Sequence, residues 1–585
     1  VGTNDWLASN IKPLAHRVPQ GEALPLADAH WIGDMTIEAS LDFTDFEIGA
    51  EEFRRRGSFE EDDFIRISPR FDNPERGPTY GWLKQMGYTC VIEDLDWENQ
   101  RVELDAIPCG DGNTYRLPSR AWYGDAGDPV YDEELLDEVT HLVEAPTPFR
   151  GEFEESFLKV PDPVLEETMQ DHQWYFPVSD GEELLPYFIG VRNGGEQHLE
   201  TVVDGNEKVL RARLNDAEFF YENDLETPFE EYREDLKGVV FQEELGSLHE
   251  KTERLVDLVE DAYEGTVPEE LVTAARHCKN DLVTDMVEEF PKLQGTMGTI
   301  YAKEAGWRPS VAALIEEHYY PKSSDGRLPG ISDRDDVDAY ESGLLALLDR
   351  LDTLVGFFAV GKRASGSGDP YGLRRDALGV LRILDSSVFE KSTLDLNDLL
   401  GMVRATFAEH TLEVDEQDLD DLKEFIRERF FNYLEDDYPD SYDVLQAVVP
   451  EYWGKPVVAR ERIEWLRDWR SRSEFEDLLT AYERANNLAG EDPPRGDVDA
   501  DRFEDDVERR LHEELREQEE NLKTALDEGD SEAVLEALVT LREPVDDFFE
   551  TVMVMADDEE LRENRLKLLR SVRNTFNTVA DFSAF

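Results

Sequence analysis

The sequence predicts an α+β multidomain fold, with a mixed α/β N-terminal part followed by a longer helical part. The chain has 585 residues, which is enough for about three to five domains of ordinary size. Short apolar runs such as DFIRISPRF at 63–71, set among Gly and Pro residues, indicate strands near the N-terminus. From about Leu245 onward, apolar residues recur at helical spacing.

Changes of composition and period divide the chain into five predicted segments. The first is an α/β segment, and the second combines a helix at 134–143 with strand-like runs such as YFIGV. The third, fourth and fifth are helical, and the fourth has acidic connections. Within the third, residues 281–290 are predicted as one amphipathic helix that Pro291 breaks. The predicted boundaries are 1–133, 134–244, 245–385, 386–460 and 461–585.

Charge is the most extreme property of this composition. The 136 acidic residues outnumber the 60 basic ones and give a net charge of −76, spread along the whole chain. Apolar residues make up 40% of the sequence, which is enough for packed cores. At about 1 M salt the Debye length is about 3 Å, so such self-repulsion is largely screened. The sequence therefore predicts a halophilic protein of a salt-accumulating cytosol.

Secreted and membrane-spanning classes are not favoured. Cys90, Cys109 and Cys278 show neither a disulfide framework nor paired metal-ligand spacing. The N-terminal residues lack the apolar core of a signal peptide. The most apolar stretch, 344–361, contains charged residues and is too short to span a bilayer. We therefore expect a cytoplasmic protein with reduced thiols and no membrane partner.

One motif approaches a phosphate-binding loop. Gly356-x4-Gly361-Lys362 has its glycines and lysine at the required spacing, but Arg363 replaces the Ser or Thr that would hold magnesium. The four intervening residues are apolar, and the preceding segment is predicted as a helix rather than a strand. No nucleotide site is therefore predicted here.

A second set of residues has metal-ligand chemistry. His249, His318, Asp349 and Asp352 could converge, because imidazole and carboxylate groups bind divalent transition metals. The alternative is structural, with the carboxylates capping helices and paired with the nearby cations Arg350 and Lys279. The structural role is the stronger prediction, so we expect no metal and no catalytic residue in this chain.

Several blocks of the sequence have a residue order that is too specific for generic helices. Examples are DLVTDMVEEFPKLQGTMGTIY at 281–301, GSGDPYGLRRDALGVLRIL at 366–384 and GNEKVLRARLNDAEFFYENDL at 205–225. Together with FEDLLTAYERANNLA at 475–489, they resemble, in the same order, the β subunits of bacterial heterotetrameric glycyl-tRNA synthetases. The resemblance covers about the last three-quarters of the chain. Residues 1–133 match poorly and are expected to be a shortened or strongly divergent acceptor-side part.

The resemblance implies both architecture and function. It implies that residues 245–385 form a helical domain similar to HD phosphohydrolases. It also implies that 461–585 form a helical anticodon-binding domain similar to that of arginyl-tRNA synthetase. The chain would position tRNA(Gly) for glycylation at the active site of an α subunit, which uses ATP and Mg²⁺, within an α2β2 glycine–tRNA ligase. No cofactor and no DNA partner are expected for this chain itself.

Cationic and amide side chains are the candidate tRNA contacts. In so acidic a chain, local groups of cations are conspicuous, and arginine can pair with phosphates or stack on bases. Pairing with neighbouring carboxylates is the competing interpretation for any single arginine. Read with the resemblance, the candidates are Lys208, Arg211, Arg213, Arg374, Arg375, Tyr482, Asn486, Arg542, Arg562 and Arg565.

Two alternative functions belong to other classes. One is a metal-dependent phosphohydrolase of the HD type, although the helix at 276–281 has no adjacent His-Asp pair. The other is a non-enzymatic helical scaffold that binds a protein partner without RNA. Metal-dependent hydrolysis of a nucleotide would favour the first, and partner binding without tRNA retention would favour the second.

Overall fold

The fold is mostly helical and is seen in a computed structural model. The described residues are 23–26, 38–42, 64–69, 88–96, 101–107 and 128–585, except 131, 145, 172, 182, 196, 264, 332–337, 365–367, 411 and 490–493. They form two compact units. The first consists of described residues up to 227 together with 284–293, and the second of 228–283 and 294–585.

The first unit contains two sheets. One has five strands in the order β1-β3-β4-β5-β2, with β1 and β3 parallel and the other pairs antiparallel. The other is antiparallel, in the order β6-β8-β9-β7. The strands are β1 (Ala23–Leu26), β2 (Glu38–Asp42), β3 (Phe64–Pro69), β4 (Tyr88–Asp96), β5 (Arg101–Ile107), β6 (Asp128–Pro129), β7 (Pro146–Glu152), β8 (Phe176–Ser179) and β9 (Leu184–Asn193).

Glycine and phenylalanine alternate across the β7–β9 pair. Gly151 pairs with Phe188, and Phe149 pairs with Gly190. A Cβ added at Gly190 would lie 2.4 Å from the Phe149 ring. The two rings meet edge to face with centroids 6.3 Å apart, a favourable aromatic geometry. Each phenylalanine ring lies over the glycine paired with it, where a side chain would clash. These two pairs therefore fix the register of the strands.

Helices of the first unit surround the antiparallel sheet. They are α1 (Glu133–Leu142), α2 (Asp162–Gln170), α3 (Leu199–Glu226) and α7 (Asp285–Glu289), with 3-10 turns at Glu155–Lys159 and Pro291–Leu293. The helix predicted at 134–143 is therefore confirmed. Leu135, Val139 and Phe176 belong to one buried cluster of α1 and the sheet.

The second unit begins with a small hairpin of β10 (Val240–Gln242) and β11 (Gly246–Ser247). The helices up to residue 384 follow the predicted periodicity. They are α4 (Tyr232–Asp235), α5 (Leu248–Ala262), α6 (Glu269–His277), α8 (Thr296–Glu304), α9 (Pro309–Glu317), α10 (Ala339–Ala359) and α11 (Leu373–Leu384), with 3-10 turns at Leu236–Gly238 and Asn280–Val283.

The remaining helices complete the same unit. They are α12 (Leu396–His410), α13 (Glu416–Asp437), α14 (Tyr442–Tyr452), α15 (Pro456–Trp469), α16 (Ser473–Ala489), α17 (Asp506–Glu528), α18 (Ser531–Thr540), α19 (Arg542–Thr551) and α20 (Glu559–Asn577), with 3-10 turns at Ala500–Arg502 and Phe582–Ala584. Helix α10 is buried almost all round, which is typical of a central core helix.

The single helix predicted at 281–290 is wrong. A 3-10 turn ends at Val283, and a new short helix begins at Asp285. Thr284 caps it through the amide of Val287 at 3.3 Å. The Asp224 carboxylate also accepts the amide of Asp285 at 2.9 Å. Side-chain acceptors at a helix start satisfy amides that a continuous helix would have bonded internally.

The segment Gly356-x4-Gly361-Lys362, whose spacing approaches that of a phosphate-binding loop, forms the C-terminal end of a helix. Helix α10 ends at Ala359, and Gly361 follows with φ +69°. The amide of Lys362 donates to the carbonyl of Phe357 at 2.9 Å. A glycine in the left-handed region with this backward bond is a common helix C-terminal motif. Most of the predicted segment 1–133 lies outside the described residues, and its predicted boundary stays a prediction.

Candidate functional site

A network of buried ions lies between α5 and the central helix α10. The Asp352 carboxylate accepts from Arg254 Nε at 2.6 Å and Nη2 at 3.1 Å, and from Lys251 Nζ at 2.8 Å. All three side chains are almost completely buried. Burial opposes ionisation of Asp352, but Lys251 and Arg254 outweigh it and hold its pKa below the usual value. The carboxylate is therefore a fixed negative charge between two cations.

A third cation, Lys279, lies beside this network. The Lys279 ammonium is 2.8 Å from both Asp349 Oδ2 and His318 Nε2. Lys251 reaches the other oxygen of Asp349 at 3.0 Å. Burial and the neighbouring Lys279 lower the pKa of His318 well below its ordinary value. The imidazole is therefore neutral and accepts a hydrogen bond from the ammonium.

The four side chains of the weaker, metal-site alternative do not converge on one point. His249 lies at the start of α5, where its Nε2 is 2.9 Å from Arg233 Nη1. His318 and Asp349 do approach each other, but Lys279 lies between them. In the described part of the chain, no group of three or more His, Cys, Asp or Glu side chains is arranged to hold a metal. The predicted pairing of a carboxylate with Lys279 is confirmed at Asp349, whereas Arg350 donates to the carbonyls of His318 and Ala346.

Side chains of the last long helix, α20, form hydrogen bonds with the backbone of two surface loops in the second unit. We call residues 494–499 the upstream loop and residues 552–558 the downstream loop. Asn564 and Arg565 are adjacent on α20, and each holds a different one of these loops.

Polar side chains of α20 bond the upstream loop through its backbone. Asn564 accepts the amide of Asp499 at 2.8 Å and donates to its carbonyl at 2.9 Å. Arg570 donates to the carbonyls of Pro494 at 2.7 Å and Gly496 at 2.8 Å. Four bonds to main-chain atoms fix the path of the loop without depending on its side chains.

Two arginines of α20 bond the downstream loop. Arg565 donates to the carbonyl of Met553 at 3.0 Å, and Arg562 donates to the carbonyl of Ala556 at 3.0 Å. Arg565 is itself held by Glu508, whose carboxylate accepts from Nε at 2.8 Å and Nη2 at 3.3 Å. Burial of this forked ion pair makes Arg565 a structural anchor.

Two predicted contacts near this surface are buried, and a third, Asn486, is partly exposed and stays a prediction. Arg565 is 4% exposed and Tyr482 is 2% exposed, so neither can contact RNA directly in this conformation. Tyr482 donates to Asp581 at 3.0 Å. Asn486 is half-buried, 3.5 Å from Arg573 Nη1. The physical reason is that these helices pack together, and their polar side chains face partners on neighbouring helices rather than solvent.

Arg542 and Arg562 keep more of their surface in solvent. Arg542 Nη1 lies 2.6 Å from Asp477 Oδ2, and both side chains are substantially exposed. Arg562 is half-buried and lies 4.0 Å from Glu559. An exposed ion pair of this kind is weak, so a phosphate could compete for the Arg542 guanidinium. Because Arg565 is buried, the three predicted arginines of this region do not all face solvent.

The other predicted cations lie elsewhere. In the first unit, α3 carries Lys208, which is exposed, and Arg211, which pairs with Glu154 at 2.6 Å. Arg213 is 4.0 Å from Glu289. In the second unit, Arg374 and Arg375 lie in the first turn of α11, after the left-handed Gly372, with Arg374 half-buried and Arg375 exposed.

Sequence reasoning missed the role of Asn564. A lone asparagine inside a helix carried no signal, because its partner Asp499 is 65 residues away. The basic character of α20 was visible in the sequence, but its use in holding backbone carbonyls was not. The stretch VMVM at 552–555 is apolar throughout, so the sequence does not show which of its side chains face solvent.

Two family models match regions of this chain. A family model described as glycyl-tRNA synthetase beta subunit matches residues 120–450. A model described as DALR anticodon binding domain matches residues 478–582. The second match contains α17 to α20 and both loops held by α20.

Individual relatives agree with the family models. The chain is 42% identical over 470 residues to a protein named glycine–tRNA ligase beta subunit of Desulforudis audaxviator, covering 79% of this chain and 66% of that protein. It is 40% identical to the protein of that name from Geobacter sp. strain M21, covering 78% and 65%. It is 39% identical to the one from Halalkalibacterium halodurans, covering 77% and 64%. The chain thus matches slightly less than two thirds of the length of these relatives.

Proposed function

Because this chain belongs to the family of glycyl-tRNA synthetase β subunits, we propose that it binds tRNA(Gly) for glycylation by a partner α subunit. In this proposal the activity belongs to the complex, a glycine–tRNA ligase. The α subunit supplies the site where ATP and Mg²⁺ are used, and the assembly contains two copies of each subunit. The contribution of this chain is to orient the tRNA, which makes attack by its 3′ end effectively intramolecular.

The observation that carries the proposal is the order of the two matched regions along one chain. The β-subunit match ends at residue 450 and the anticodon-binding match begins at 478. The same chain can therefore contact the anticodon arm and the remainder of the tRNA. Of the predicted cations, those with exposed or half-buried side chains remain our candidates for phosphate binding: Lys208, Arg211, Arg213, Arg374, Arg375, Arg542 and Arg562.

We assign helices α5, α6 and α8 to α11 of the second unit to an HD-like domain that supports tRNA binding rather than hydrolysis. The support for this is local. Where His318 and Asp349 approach each other, the ammonium of Lys279 is bonded to both. A divalent ion at that position would be repelled by this ammonium and by Lys251. A metal-dependent phosphohydrolase is therefore not favoured.

Reconstitution of aminoacylation tests the proposal. The purified chain is mixed with a glycyl-tRNA synthetase α subunit, tRNA(Gly), glycine, ATP and Mg²⁺, at molar salt suited to its charge. We expect charging only when both subunits are present, and no glycine-dependent pyrophosphate exchange by this chain alone. Exchange by the isolated chain, or failure of the mixture to charge tRNA while this chain stays folded, contradicts the proposal.

A scaffold without RNA binding is the remaining alternative. Filter binding of labelled tRNA(Gly) to the complex, compared with a tRNA of another specificity, separates it from our proposal. Retention of tRNA(Gly) by the complex but not by the α subunit alone supports the tRNA-binding role. Assembly of the complex without any gain in tRNA retention contradicts it.

A further inference from the structure

The downstream loop exposes two large apolar side chains on an otherwise charged surface. Met553 is 75% exposed and Met555 is 58% exposed, whereas their neighbours Val552 and Val554 are 6% and 5% exposed. The four residues alternate between core and solvent, and the chain bends at Val554 and Met555. Both methionine side chains therefore project into solvent from one short segment.

Hydrogen bonds from α20 to its backbone fix the conformation of the downstream loop. Arg565 and Arg562 each bond one of its carbonyls, and Arg565 is anchored by the buried Glu508. The amide of Ala556 also donates to the carbonyl of Val554 at 2.9 Å. Three hydrogen bonds thus hold the main chain, while the two methionine side chains are exposed and can adapt to a partner.

The carboxylates near the two methionines disfavour the binding of a phosphate group at this loop. Asp557, Asp558, Glu559 and Glu560 follow directly in the sequence, and all four are exposed. Such a group of carboxylates repels the RNA backbone but not the uncharged face of a base. A methionine side chain is flexible and polarisable, and its sulfur makes favourable contacts with aromatic rings.

We infer that Met553 and Met555 form an apolar contact for one or two unstacked bases of the anticodon loop. The assignment rests on the proposed function, since it takes tRNA(Gly) as the ligand. The occupant follows from position, because the loop lies inside the region matched by the anticodon-binding family model. Within the described residues of that region, Met553 and Met555 are the most exposed large apolar side chains, ahead of Leu488 at 41%.

The contact explains how so acidic a domain can bind RNA in concentrated salt. Counterion release contributes less as salt rises, so phosphate pairing weakens. Stacking of bases on apolar or aromatic groups depends on short-range contact and is screened much less. The methionines would supply this salt-tolerant part of the binding, and the cations elsewhere on the chain would supply the remainder.

The test is steady-state charging of tRNA(Gly) by the reconstituted complex with the double variant Met553→Ser and Met555→Ser. Both side chains are exposed, so the substitutions remove no core packing. We expect KM for tRNA to rise roughly three- to thirty-fold with kcat nearly unchanged, from the loss of two apolar side chain–base contacts of ordinary strength. The double variant Met553→Leu and Met555→Leu should stay close to wild type, because it keeps the apolar volume.

Two controls make the outcome specific. Val240→Ser changes a 65% exposed side chain outside the matched anticodon-binding region and should leave KM unchanged. An acceptor-stem minihelix without an anticodon arm should be charged equally by wild type and by the serine variant. An equal loss with the minihelix overturns the inference, because the loop would then not contact the anticodon arm.

The remaining outcomes separate this inference from the proposed function. If the wild-type complex charges tRNA(Gly) and the serine variant has the same KM, the inference is wrong and the proposed function stands. If the serine variant loses α-subunit association in sedimentation while its tRNA affinity is retained, the loop is a protein-docking site and the inference is again wrong. If the wild-type complex does not charge tRNA at all, the proposed function itself fails.

Discussion

Replacing Asp352 by Asn removes one negative charge from the most deeply buried ion network of the second unit. The carboxylate pairs with Arg254 and Lys251, and none of the three side chains has more than 3% of its surface in solvent. The substitution preserves shape and volume, so no cavity forms. It leaves Arg254 without its ionic partner and Lys251 with Asp349 alone.

The expected loss is large because water cannot solvate the two cations. Removing one partner of a buried ion pair typically lowers the free energy of unfolding by about 3–5 kcal/mol. By contrast, Asp420 on α13 is 57% exposed and lies 3.5 Å from Lys423. Removing its charge should change the free energy of unfolding by less than about 1 kcal/mol.

Urea denaturation in concentrated KCl measures both variants, with Asp420→Asn as the matched control. The Asp352→Asn transition should move to clearly lower urea, and the Asp420→Asn transition should stay near wild type. Asp352 has a lowered pKa, so its contribution is present above its unfolded pKa and is lost as pH falls through the folded pKa. The difference between wild type and Asp352→Asn should therefore shrink below about pH 4. Equal shifts in the two Asn variants at neutral pH would refute the reasoning.

Three further outcomes are expected. The melting temperature should rise with KCl, because salt screens the net charge of −76; a melting temperature that is flat or falls with salt contradicts the halophilic interpretation. Gly379→Ala should destabilise, since its Cβ would lie 2.7 Å from Arg350 Nε, whereas Gly401→Ala in open space should stabilise by up to about 1 kcal/mol in the same thermal scans. Arg565→Ala should lower the melting temperature markedly through its buried ion pair, and Arg542→Ala should not, so equal melting temperatures would contradict the assigned roles.

The sequence by itself determined the helical character of the chain, its charge and its family. Helical periodicity needs only neighbouring residues, so the helix beginning at Leu373 could be predicted from local pattern. The block from Gly205 to Leu225 carried the family resemblance in its residue order, which does not depend on its conformation. Net charge is a sum over residues and needs no structure at all.

Only the tertiary structure decided which polar residues face solvent. Arg562 and Arg565 lie three residues apart, so their side chains point only about 60° apart on a helix; yet one stays half-exposed and the other pairs with Glu508, 57 residues away. Lys279 likewise meets His318 and Asp349 across 39 and 70 residues. The sequence pattern of a helix shows its period but not the helices that pack against it, and those neighbours determine whether a cation binds RNA or holds the fold together.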